Sequence, residues 1–159
     1  MDAKIIAKTA FTVLGIEGSG DVSKGPKWIP QLWEQAFDRR DEVKDLVKAG
    51  KGAWGLMSSI DKYLAPWKEK GKGKYLAGWE VDPGTKPSKG WKTWNIPEQK
   101  FVAIACTLPT FRDGMTYFYK KFSPREGYEQ AGAIHEYYPE GFRDPERDAV
   151  YLYIPITKK

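Results

Sequence analysis

Two stretches of this chain run through the same order of elements, and that repetition limits the folds open to it more than any other feature. Phe11-Thr12-Val13-Leu14-Gly15-Ile16 sets against Phe101-Val102-Ala103-Ile104-Ala105-Cys106, Gly52 to Ser58 against Gly132 to Tyr138, and Tyr75-Leu76 against Tyr151-Leu152. Short apolar strands resemble one another by chance, but the matched order of four elements points to two strand–helix–strand–strand halves. The expected class is α+β: two βαββ repeats related by a pseudo-twofold axis, antiparallel sheets with helices on one face, and a groove at the seam. A single domain of residues 1–159 then divides into a first half of about 8–83, a connecting loop at 84–97 and a second half of about 98–157.

Local patterns fill in this frame. Phe11 to Glu17 reads as a strand ended by Gly18-Ser19-Gly20-Asp21. Ile29, Leu32, Trp33, Ala36 and Phe37 fall at helical spacing, entered through Pro26 and Pro30, with a further turn or two from Asp41 to Val47. Strands at 53–58 and 75–81 follow, separated by an exposed basic connector, and Pro83, Gly84, Pro87 and Gly90 mark a loop. In the second half, Thr110 is placed to cap a helix carrying Phe111, Met115, Phe118, Tyr119 and Phe122, which Ser123-Pro124 should break. Strands at 132–139 and 149–156 close the chain. Trp91 and Trp94 fall in or beside the loop, where exposed tryptophans would cover the seam or a ligand.

Composition excludes several functions. One histidine and one cysteine rule against a histidine-cluster metal centre, a serine–histidine–aspartate triad and an internal disulfide; Cys106 reads as an inert core thiol. No apolar run approaches the roughly 20 residues of a membrane span, and no secretory signal precedes the first strand, so the expectation is a soluble, cytoplasmic protein. The net charge of +5 is scattered, with no helix-turn-helix or zinc-finger spacing, which argues against direct nucleic-acid binding. Seven Trp, nine Tyr and seven Phe exceed what a core of this size needs, which suggests stacking surfaces.

Glu136 stands out against that background. In the strand around it, Ile134, Glu136 and Tyr138 share one face, and Ala133, His135 and Tyr137 the other. A solvated edge would explain the carboxylate cheaply; the alternative is a pocket. In the last strand Val150, Leu152, Ile154 and Ile156 form an aliphatic face suited to the helices, leaving Tyr151 and Tyr153 for the groove. The repeat aligns Glu136 with Leu56, so one half carries a carboxylate where the other carries a hydrocarbon, which favours the pocket. Among aromatics, such a group can act as a general base or hold an organic cation, and Tyr138 is placed to share a proton or ligand with it.

The helix pattern Ile29-x-x-Leu32-Trp33-x-x-Ala36-Phe37, the strand Tyr75 to Val81, Gly127-Tyr128, Glu136-x-Tyr138 and the closing Tyr151 to Ile156 together resemble the GyrI-like small-molecule-binding domain. That domain also occurs as the effector-binding part of AraC-type and MerR-type multidrug-sensing regulators. The resemblance implies a groove between two βαββ repeats where a glutamate, matched by Glu136, accepts flat, hydrophobic and often cationic molecules. The candidate ligand-binding set is Glu136, Tyr138, Trp33, Trp54, Leu56, Tyr75, Trp79, Trp91, Tyr117, Tyr151 and Tyr153. Trp79 departs from the pattern, standing where a smaller aliphatic residue is usual. Some stand-alone members resemble hydrolases that open the cyclopropane ring of DNA-alkylating compounds, which would make Glu136 and Tyr138 catalytic. Related tandem folds bind heme, with His135 as a conceivable axial ligand, but His135 points away from Glu136. The expected form is a stand-alone binder with no cofactor and no metal, acting alone or with a separate regulator protein, as monomer or dimer.

Overall fold

The computed structural model describes residues 1–159. Its strands are β1 (Ala3–Lys8), β2 (Phe11–Asp21), β3 (Ala53–Ser59), β4 (Lys72–Val81), β5 (Lys92–Ile96), β6 (Gln99–Cys106), β7 (Tyr128–Gln130), β8 (His135–Tyr138) and β9 (Val150–Lys158). The helices are α1 (Gly25–Asp38), α2 (Phe111–Tyr117) and α3 (Ser123–Glu126). The strands form one antiparallel sheet in the order β1-β6-β9-β8-β3-β4-β2-β5, with β7 pairing the far end of β9. This order places β3 and β8, the third elements of the two halves, side by side at the centre.

The helices lie on one face of the sheet. Beneath α1, Leu32 and Ala36 pack on Leu14, Ile16, Tyr75, Ala77 and Trp79. In the second half, Val150, Leu152, Ile154 and Ile156 meet Phe118 and Phe122, as their alternation predicts. The other face has its own cluster of Phe11, Val13, Trp54, Leu56, Leu76, Trp94, Ile96 and Phe101, with Leu64 packed against it.

Several boundaries differ from the sequence expectations for definite reasons. β2 continues through Gly18 and Gly20 because these glycines are notches for α1. A Cβ on Gly18 would sit 2.6 Å from Leu32 Cδ2, and one on Gly20 2.6 Å from Trp28 Nε1. The 84–97 segment is not all loop, since β5 occupies Lys92–Ile96. Trp91 and Trp94 are accordingly buried rather than exposed, on the helix side and the opposite side respectively. β1 is an edge strand on β6 whose Lys4 and Lys8 obscure its pattern while suiting an edge. Ser123-Pro124 does not end the second helix. The chain passes from α2 through a π-helical stretch, Phe118–Phe122, into α3, and stops at Gly127 with φ +72°. Thr110 makes no side-chain cap; its Oγ1 accepts the Thr107 N–H at 2.8 Å.

Candidate functional site

Glu136 sits on β8 opposite Leu152 of β9 and Gly55 of β3, which puts its side chain on the helix face. A Cβ on Gly55 would lie 2.6 Å from Glu136 Oε1 and collide with the Tyr75 hydroxyl, so glycine there is what lets the two groups meet above the sheet. The half-buried carboxylate is held from two sides. Tyr75 donates its hydroxyl to Oε1 at 2.5 Å and Tyr138 donates to the same oxygen at 3.0 Å. The Trp33 indole N–H donates in turn to the Tyr75 hydroxyl at 3.0 Å. Oε2 accepts nothing from the protein, and it is not sealed off, because the one enclosed side-chain polar atom without a partner is Trp54 Nε1.

Burial pushes the Glu136 carboxyl above its ordinary value, and the two tyrosine hydrogen bonds oppose that rise. Tyr75 and Tyr138 are pushed up by burial and by the neighbouring carboxylate, so both remain protonated donors. In chemical terms the group is a proton acceptor or anion with one oxygen pinned and the other free.

Beside this network opens a cavity of about 340 Å³. Trp33, Tyr138, Trp79 and Ala53 line it together with Phe37 of α1 and Leu108 of the segment before α2. Phe37 and Leu108 are 55% and 38% exposed, apolar surface that an occupant would cover. The walls are aromatic edges: Trp33 meets Tyr138 at 5.4 Å, Phe37 meets Trp79 at 5.7 Å, and Phe142 meets Tyr138 at 5.1 Å. A second space of about 300 Å³ lies toward the other end of β8, bordered by Ile134, Met57, Trp67 and Met115.

The structure gathers Glu136, Tyr138, Trp33, Tyr75 and Trp79 from the sequence-derived set and separates the others. Tyr151 and Tyr153 are on the opposite face of the sheet, where Tyr153 packs on Trp54 and Phe101. Leu56 is there too, completely buried. The groove expected on the tyrosine side is therefore not where Glu136 points. The repeat alignment that set Glu136 against Leu56 thus matches two residues on opposite faces, and a one-residue slip in a strand exchanges its faces. Trp91 is set back behind Trp79 at 6.5 Å, its indole bonded to Glu42. Tyr117 packs with the second-half core and accepts a hydrogen bond from Arg125 at 3.3 Å.

His135 is 1% exposed, its Nδ1 accepts the Met57 N–H at 3.1 Å, and burial lowers its pKa to about 3. It is a neutral pin between β8 and β3, poorly placed to ligate heme iron. Cavity residues that sequence reasoning passed over are Phe37, Arg40, Lys51, Leu108, Glu140 and Phe142. Phe37 was legible only as part of a helix face. The others lie outside the strands and α-helices, in segments that carry no periodicity.

A GyrI-like small-molecule-binding-domain family model matches residues 1–157. The chain belongs to the GyrI-like family. The transcriptional regulator BrlR of Pseudomonas aeruginosa is 31% identical over 161 residues, covering 98% of this chain and 56% of the regulator. The chain thus spans about half the length of the curated relative it matches. A structure of SAV2435 bound to tetraphenylphosphonium superposes with a TM-score of 0.75 at 14% identity, covering 99% of this chain and 94% of that one. The EcmrR C-terminal domain superposes with a TM-score of 0.65 at 18% identity, covering 99% and 98%. These structural likenesses establish the mixed α+β fold of a GyrI-like domain. No helix of this domain is long and apolar enough to cross a membrane.

Proposed function

We propose that this GyrI-like domain binds flat or globular hydrophobic molecules, often cationic, in the cavity beside Glu136. The observation that carries the reading is Glu136 itself: Oε1 is fixed by two tyrosine hydroxyls, Oε2 accepts nothing from the protein, and Tyr138, one of the two donors, lines the aromatic cavity. An organic cation there gains Coulomb attraction to the carboxylate and favourable contact with ring faces, in a site partly shielded from water. The tetraphenylphosphonium bound to SAV2435 is a molecule of this type, and the matching segment of BrlR belongs to a transcriptional regulator. The domain then sequesters its ligand or passes the binding event on to a regulatory activity.

The test is a titration of the domain with a lipophilic cationic dye, followed by displacement with tetraphenylphosphonium. Saturable binding with one-to-one displacement is expected; linear, non-saturating partition would sink the reading.

A second reading is favoured by the Glu136–Tyr138 contact of 3.0 Å together with the raised carboxyl. With Oε2 free to take a proton from water, the pair can open an activated cyclopropane. The water oxygen bonds to a ring carbon, the ring C–C bond breaks, and its electron pair passes to the conjugated acceptor, which takes up the proton. Product analysis on a cyclopropane-bearing alkylator should reveal a ring-opened water adduct. Unchanged conversion by Glu136→Ala would remove the carboxylate from this chemistry.

A further inference from the structure

The cavity beside the Glu136 network is lined by more positive than negative charge. Tyr138, which donates to Glu136, lines the cavity, and so do Arg40, Lys51 and Glu140. Arg40 follows α1, and its guanidinium lies over the Trp79 ring at 5.3 Å, so the charge is held against the cavity wall. Neither cation is neutralised by a protein carboxylate. Asp38 and Asp41, close to Arg40 in the chain, make no ion pair with it, and Glu42 is taken by Arg39 at 2.8 Å and by the Trp91 indole at 3.2 Å. That engagement holds Glu42 at a pKa of about 2. Lys48, three residues before Lys51, faces Asp82 at 3.8 Å, whereas Lys51 has no carboxylate within 4.0 Å. Glu140 likewise has no cationic partner, so the lining holds two positive charges against one negative.

We infer that the preferred ligands of this site are zwitterionic: an aromatic body with a cationic centre toward Glu136 and an anionic group, such as a carboxylate or sulfonate, toward Arg40 and Lys51. The inference rests on the cation-binding reading above and narrows it to one ligand class. A purely cationic ligand would have its outer end beside two like charges, while an acid there meets a planar guanidinium and an ammonium in a partly enclosed, aromatic setting.

Rhodamine B and its ethyl ester provide a matched pair, since they share the cationic xanthylium rings and differ in whether the outer carboxylate is free. Wild-type protein should bind the acid more tightly than the ester by roughly fivefold at low ionic strength, a ratio that shrinks as salt is added. The double variant Arg40→Gln/Lys51→Gln, with its fold checked by thermal melting, should bring that ratio to about one. Glu136→Gln should weaken both dyes. Equal or tighter binding of the ester by wild type, or a preference that survives in the double variant, overturns the zwitterion assignment while Glu136 dependence stands. Affinities for both dyes that ignore Glu136→Gln overturn the cation reading and this assignment with it.

Discussion

Trp33 donates its indole N–H to the Tyr75 hydroxyl across 3.0 Å, and this contact sets the direction of the hydrogen bonds beyond it. An indole can only donate, so the Tyr75 proton is directed at Glu136, where it meets a second donor from Tyr138. With Oε1 accepting twice, any proton that Glu136 gains must reside on Oε2, the atom facing open space.

That geometry predicts the pH dependence of binding. Because the folded-state pKa of Glu136 is raised by burial, cation affinity should climb as pH rises through that value, with a proton released on binding. Calorimetry in buffers of different ionisation enthalpy measures the released proton; a pH-independent affinity would contradict the assignment.

The same shift predicts a stability effect. A carboxyl whose folded pKa is raised stabilises the fold most below its unfolded value of 4.5, and that contribution is lost as pH rises through the folded value. Glu136→Gln should therefore be more stable than wild type at neutral pH, with the gap closing below about pH 4.5. Urea denaturation across pH follows the gap.

His135 acts in the opposite sense. Its pKa falls from 6.5 to about 3 on folding, so the stability it contributes is complete above 6.5 and lost as pH falls toward 3. At pH 4.5 the loss should reach about 2–3 kcal/mol. His135→Gln should flatten that part of the acid-stability curve, and denaturant midpoints between pH 7 and 4 check it.

Gly55→Ala tests the close approach on which the site depends. Its Cβ would press on Tyr75 and Glu136 Oε1, so the variant should lose about 1–3 kcal/mol of stability. Ligand affinity should fall with it even below the melting temperature, read by dye titration on the folded fraction.

How much was legible in the sequence divides along physical lines. The helix faces and the long strands were readable because alternation and helical spacing report burial directly. Two things were not. The face on which Glu136 meets its neighbours depends on strand register, which Gly55 and Leu152 fix by pairing across the sheet rather than along the chain. Part of the cavity lining comes from outside the strands and α-helices, where Arg40, Lys51 and Phe142 follow no period. The glycines of β2 misled for a related reason, serving helix docking rather than a turn.

Phe37 offers a separation of binding from folding. It is 55% exposed yet lines the cavity against Trp33 and Trp79. Phe37→Ala should change stability by no more than about 0.5–1 kcal/mol while weakening aromatic ligands by roughly three- to tenfold.

The central claim is that the Glu136 carboxylate holds a lipophilic cation, and tetraphenylphosphonium addresses it with a single fixed charge and no hydrogen-bonding group. Calorimetric titration at neutral pH should give saturable binding to wild type and at least roughly tenfold weaker binding to Glu136→Gln, a variant that keeps the side chain's shape and removes its charge. Equal affinities for the two proteins would contradict the account.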